Sequence, residues 1–120
     1  MRLKTDAEIL RYVRSVSVEK NVRLSPTVCA IFVSMLHLYV RDAEYDEKHG
    51  AYFVQYSCRD FSNLLQFSFK MVCVALQKLD DCGLIERVPV KREFRKLKGG
   101  SVSVNKPNVT YLDLSLFVED

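Results

Sequence analysis

Seven lysines and arginines fall between Glu86 and Lys106: Arg87, Lys91, Arg92, Arg95, Lys96, Lys98 and Lys106. Only Glu86 and Glu93 oppose them, which leaves a local net charge of +5. Clustered ammonium and guanidinium groups are the chemistry of phosphate binding, because they neutralise a polyanion and release its counterions. The whole chain of 120 residues carries only +3, so the charge is segregated. From Arg41 to Lys48 the sign reverses: Asp42, Glu44, Asp46 and Glu47 give a local net charge of −2. A charge run is also what a merely solvated hairpin shows, so the element that carries it decides its meaning.

Other chemistry finds little support. No two of Cys29, Cys58, Cys73 and Cys82 are two residues apart, so zinc-ribbon spacing is absent. They read as buried, reduced thiols without metal. His37 sits in an apolar stretch and reads as structural, and His49 is far from it in sequence. There is no glycine-rich phosphate loop, no His-Glu-x-x-His and no Gly-x-Ser-x-Gly. Asp80 and Asp81, like the acids of the 42–47 stretch, read as solvated. Neither catalysis nor a cofactor is expected.

The elements that must hold these groups can be read from caps and periodicity. Hydrophobic residues make up 48% and charged residues 28%, the mix of one globular domain over residues 1–120. Thr5 caps a first helix over about 5–19, with Ile9, Leu10, Val13 and Val16 as its apolar stripe. Ser25 followed by Pro26 opens a second over about 26–42, apolar almost all round. A polar loop spans 42–50, and aromatic content predicts a short strand over 52–56. Ser57 and Asp60 have capping-box spacing and open a helix over 57–65. Ser68 caps the next, over 68–82, with Val72, Ala75, Leu76 and Leu79 as its core face and Gly83 closing it. Strands follow over 84–90, ended by Pro89, and over 101–114, joined at Gly99-Gly100. The predicted class is α+β: helix, long helix, short strand, helix-turn-helix, basic β-hairpin.

The stretch Ser57-Cys58-Arg59-Asp60-Phe61, then Ser68, then Leu76-Gln77-Lys78-Leu79-Asp80-Asp81-Cys82-Gly83-Leu84-Ile85-Glu86-Arg87 resembles many bacterial winged helix-turn-helix proteins. The ending Leu-x-x-x-Gly-Leu-Ile-Glu-Arg is typical of them. With the long helix after Ser25, the acidic loop and the aromatic strand, the chain is similar to the N-terminal domains of plasmid replication initiators. It is also similar to small regulators of bacterial mobile elements, and more distantly to MarR-type repressors. The resemblance covers about two-thirds of the chain. It implies a dimeric binder of double-stranded DNA without a cofactor, acting in replication initiation or transcription regulation on a plasmid or mobile element.

On that pattern the DNA-binding residues are Arg59, Ser68, Phe69, Lys70, Met71, Val74 and Gln77 on the helical pair, and Lys91, Arg92, Arg95, Lys96 and Lys98 on the wing. By the same pattern the groove-facing positions lie around Phe69, Lys70, Met71, Cys73, Val74 and Gln77, where only Lys70 and Gln77 are long polar readers and Met71 and Val74 suit thymine methyl groups. Either base reading is sparse, or this helix packs on protein. The alternative is a winged-helix protein-protein interaction module without sequence-specific DNA binding. No apolar run approaches the roughly 18 residues of a membrane span, and Met1 to Asp6 is charged rather than signal-like, which points to the cytoplasm. The all-round apolar second helix, the stripe of the first, and Leu116 and Phe117 suggest that two copies pair.

Overall fold

The computed structural model describes residues 1–90, 93–97, 100–104 and 106–119, the two middle stretches by backbone alone. Helix α1 (Asp6–Lys20) starts where the Thr5 hydroxyl accepts the Glu8 N–H, and it ends at Asn21 in the left-handed region, φ 53°. Helix α2 (Pro26–Asp42) starts at Ser25, whose side chain accepts the Val28 N–H at 3.2 Å. α2 is the centre of the molecule. Its Val28, Ile31, Phe32, Met35, Leu36, Leu38 and Tyr39 are buried. They meet α1 and, further along the chain, helices α3 (Cys58–Leu65) and α4 (Phe69–Asp81).

Four strands form one antiparallel sheet: β2 (Glu44–Asp46), β3 (Ala51–Val54), β7 (Val109–Leu112) and β4 (Glu86–Val88), in the order β2-β3-β7-β4. The buried hydroxyl of Tyr39 donates to the Thr110 carbonyl at 2.7 Å and ties α2 to β7; burial pushes this phenol's pKa up. Strands β5 (Glu93–Leu97) and β6 (Gly100–Val104) pair with each other as a hairpin inserted between β4 and β7. Strand β1 (Arg2–Leu3) pairs with β8 (Val118–Glu119).

Several expectations change. The 42–50 stretch is a hairpin rather than a loop, since β2 pairs with β3 and sets Tyr45 against Tyr52, ring centroids 5.1 Å apart. Its turn is built by Asp46, whose carboxylate accepts the N–H groups of Lys48 and His49, and by Gly50 at φ +72°. The strand predicted over 84–90 is confined to Glu86–Val88, because Leu84 and Ile85 turn into the core. The return strand predicted over 101–114 is split into β6 and β7 on either side of Pro107. His37 lies on the exposed side of α2.

Part of the apolar surface expected to pair two copies is covered within the chain. Leu10 and Val16 stay half-buried, and Leu116 is 42% exposed. Ile9 and Val13 of α1 are buried, and a 3₁₀ helix at Leu114–Phe117 inserts Leu114 and Phe117 beneath α2. Phe117 is 2% exposed, with its ring edge-on to Phe32 at 5.3 Å and to Tyr12 at 5.4 Å. An apolar helix in a small domain demands cover on several sides, and the C-terminal segment supplies it.

Candidate nucleic-acid interface

Helices α3 and α4 form a tight pair. The Ser57 hydroxyl accepts the Asp60 N–H at 3.0 Å, and the Asp60 carboxylate accepts the Ser57 N–H at 2.9 Å, a reciprocal cap for α3. Phe61 fixes α3 to the core with no exposed surface. The chain turns at Gln66, φ 60°, and the Ser62 hydroxyl holds the Phe67 carbonyl at 2.6 Å. Ser68 then caps α4 by accepting the Met71 N–H. These bonds fix the angle at which α4 leaves α3.

Val72, Ala75, Leu76 and Leu79 bury one side of α4. Helical periodicity therefore sets Lys70, Val74, Gln77 and Asp81 along the opposite ridge, with Phe69 and Met71 beside it. Phe69, Met71 and Val74 are 45%, 41% and 48% exposed. The Arg59 guanidinium on α3 lies over the Phe69 ring, 4.9 Å from its centroid. Arg59, Phe69, Lys70, Met71 and Val74 are thus all exposed around the N-terminal half of α4, with Arg59 and Phe69 on one flank of the ridge and Met71 on the other.

Two expected contact residues are otherwise engaged. The Ser68 hydroxyl oxygen serves as the helix cap. The Gln77 amide is bonded at both ends: its NH₂ donates to Asp81 at 2.8 Å, and its carbonyl accepts from the Arg87 guanidinium at 3.0 Å. Arg87 also donates to Asp80 at 3.3 Å. Arg87 was not among the expected site residues, yet it organises the whole C-terminal half of α4. The sequence signal was its position just after Gly83, where the chain returns alongside the helix.

The basic hairpin is formed by β5, a strand not expected from the sequence, paired with β6, which sets Arg95 and Lys96 opposite Val102 and Ser101. Lys91, Arg92 and Lys98 lie outside the described residues. β4 and β7, which lead into and out of this hairpin, pair directly, Arg87 standing opposite Thr110.

Two solved structures are similar to this chain. One, described as the N-terminal domain of a DNA binding protein, is 24% identical over 81% of this chain and 68% of that one, TM-score 0.51. The other, described as the structure of a Rep-DNA complex, is 23% identical over 82% and 69%, TM-score 0.52. The fold is a winged helix-turn-helix. In it α3 and α4 are the helical pair, and β4 to β7 form the wing. No family model and no curated protein matches the chain.

The cysteines of this winged helix are dispersed. Cys82 is buried, and Cys29, Cys58 and Cys73 are half-buried. Burial pushes the Cys58 thiol up, and a hydrogen bond with Cys73 across the α3–α4 pair adds to it. Among the described residues, no three His, Cys, Asp or Glu side chains gather as a metal group, and no helix is long and apolar enough to cross a membrane.

Proposed function

We propose that this winged helix binds double-stranded DNA, with the first two turns of α4 in the major groove and the basic wing along the neighbouring backbone. The observation that carries the reading is the exposed surface of Arg59, Phe69, Lys70, Met71 and Val74 at the N-terminal end of the second helix of the pair. The +5 stretch from Glu86 to Lys106 supports it with charge of the correct sign. The two similar structures, of a DNA binding protein and of a Rep-DNA complex, support it as well. The biological role is replication initiation at a plasmid-type origin or transcriptional control on a mobile element, and the Rep neighbour favours the first. The reading includes the cytoplasm as location, no catalytic step and no cofactor.

Titration of a random-sequence duplex over a range of salt concentrations tests this. Binding should weaken steeply with salt, and replacing both Arg95 and Lys96 with Ala should lower the slope by about one unit per lost phosphate contact. Absence of salt-sensitive binding favours the second reading, a protein-interaction module, for which the apolar character of Phe69, Met71 and Val74 is the specific argument. A homodimer belongs to the proposal only through the apolar groove left between α1 and α2, lined by Leu10, Val13, Leu24, Pro26, Cys29 and Val33. A single species near 13.9 kDa at equilibrium in the ultracentrifuge removes pairing from it.

A further inference from the structure

The outward ridge of α4 carries an unusual set of side chains for a helix that enters the major groove. In the C-terminal half of α4, Gln77, Asp80 and Asp81 are bonded to Arg87 or to one another, and at its start the Ser68 hydroxyl caps the first turn. The remaining exposed side chains are Phe69, Lys70, Met71 and Val74, and three of those four are apolar. Val74 stands in the middle of the ridge, opposite the buried stripe, where the helix comes closest to anything docked on it.

In the major groove a base pair offers hydrogen-bonding groups and one apolar group, the C5 methyl of thymine. An apolar ridge cannot satisfy the donors and acceptors of a G·C pair, and it leaves them desolvated without partners. Against thymine it gains contact with the methyl. The cations beside the ridge, Arg59 and Lys70, suit the phosphates that border such a groove. Charge complementarity and apolar complementarity therefore point to the same occupant.

We infer that the first two turns of α4 read thymine methyl groups, so that this protein selects duplexes with thymines at the positions facing Met71 and Val74. The inference rests on the DNA-binding reading and adds the chemical class of the preferred site. Discrimination comes from contact with a methyl group rather than from a hydrogen-bond code, and the partner is thymine-bearing B-form duplex.

The test uses a duplex recovered from a random pool by repeated selection on the full chain. The same duplex is then made with deoxyuridine in place of every thymidine, which removes only the C5 methyl groups. Burying one methyl is worth about fourfold in affinity, so two contacts give a thymine-to-uracil preference of about 10- to 20-fold. Val74→Ala, at an exposed helical position, should keep the fold and lower that preference to about a quarter of its value, because affinity falls more for the thymidine duplex than for the deoxyuridine duplex. A variant acting only through structure would shift both duplexes alike. Equal, tight and salt-sensitive binding of the two duplexes overturns methyl reading and leaves DNA binding in place. No saturable binding to either duplex overturns both.

Discussion

In the first two turns of α4, Phe69, Lys70, Met71 and Val74 reach solvent, and the Arg59 guanidinium rests on the Phe69 ring. In the last two turns, Gln77, Asp80 and Asp81 are bonded to Arg87 or to each other. The buried stripe of Val72, Ala75, Leu76 and Leu79 runs unbroken beneath both halves. The two halves therefore share their contribution to the core and differ in what is left over for a partner. Exposure alone does not distinguish them, since Gln77 and Asp81 are exposed too. What separates them is whether polar groups have already found partners within the chain, because a side chain already bonded must give up those bonds before it makes new ones.

The largest expected effect concerns what the halves share. Leu76→Ala should cost about 2–5 kcal/mol of stability by leaving a cavity under the middle of α4. Chemical denaturation would register the loss, and DNA affinity of the fraction still folded should not change. A smaller stability cost would mean that α4 is held by its ends rather than by its stripe. Next in size is Val74→Glu, which adds a carboxylate to the centre of the exposed half. Duplex affinity should fall about 100-fold, the scale of several kcal/mol of like-charge juxtaposition. The melting temperature should stay where it is, because Val74 is 48% exposed. The same charge is already present at Asp81 in the other half, so a Val74→Glu variant that still binds would erase the functional difference between the halves.

Arg87→Ala probes the engaged half. It removes a partly exposed ion pair with Asp80, whose side chains are 18% and 33% accessible. The stability cost should therefore be about 1 kcal/mol or less. The larger consequence is chemical: the Gln77 carbonyl loses its donor. Glutamine pairs well with adenine in the major groove. Selection from a random duplex pool should then recover sites with an additional adenine preference. Identical sites from the variant and the parent would show that Gln77 lies beyond reach of the bases.

The two halves were unequally legible in the sequence. The helix itself was plain, because Ser68, the three-and-four spacing of Val72, Ala75, Leu76 and Leu79, and Gly83 are all local signals. So were the starts of the other helices, at Thr5, Ser25 and Ser57. The apolar character of Met71 and Val74 was equally visible. The engagement of Gln77 was not, since its carbonyl's donor is ten residues away, beyond a turn and at the start of a strand. The same limit hid strand β2: Glu44-Tyr45-Asp46 is polar because it is an exposed edge, and its pairing is set by β3. It also hid the fate of Phe117, which reads as a free apolar tail until Phe32 is known to lie beside it. Of the wing, the Gly99-Gly100 turn signal was legible, the register that sets Arg95 and Lys96 opposite Val102 and Ser101 was not, and Lys91, Arg92 and Lys98 fall outside the described residues.

The smallest expected effect lies away from α4 and serves as its control. In the β2–β3 turn the Asp46 carboxylate accepts the Tyr111 hydroxyl at 2.8 Å and the N–H groups of His49 and Lys48. These bonds, that of Tyr111 first, hold the Asp46 carboxyl below its ordinary range. The same contact with Asp46 pushes the Tyr111 phenol above its own ordinary range. The signs follow by linkage. For Asp46 the folded value is the lower one, so its contribution is present above the usual carboxylate range and is lost as pH falls through the depressed folded value. For Tyr111 the folded value is the higher one, so its contribution is present below the usual phenol range and is lost as pH rises through the raised folded value. The bond therefore stabilises the turn across neutral pH and weakens at both extremes. Asp46→Asn should lower the melting temperature slightly at neutral pH, and the difference from the parent should shrink in acid. Duplex affinity at neutral pH should match the parent's, since Asp46 bonds only to its own turn and to β7. Parallel melting curves at every pH would show that Asp46 adds nothing to stability. A changed duplex affinity would extend the binding surface beyond the first two turns of α4 and the wing.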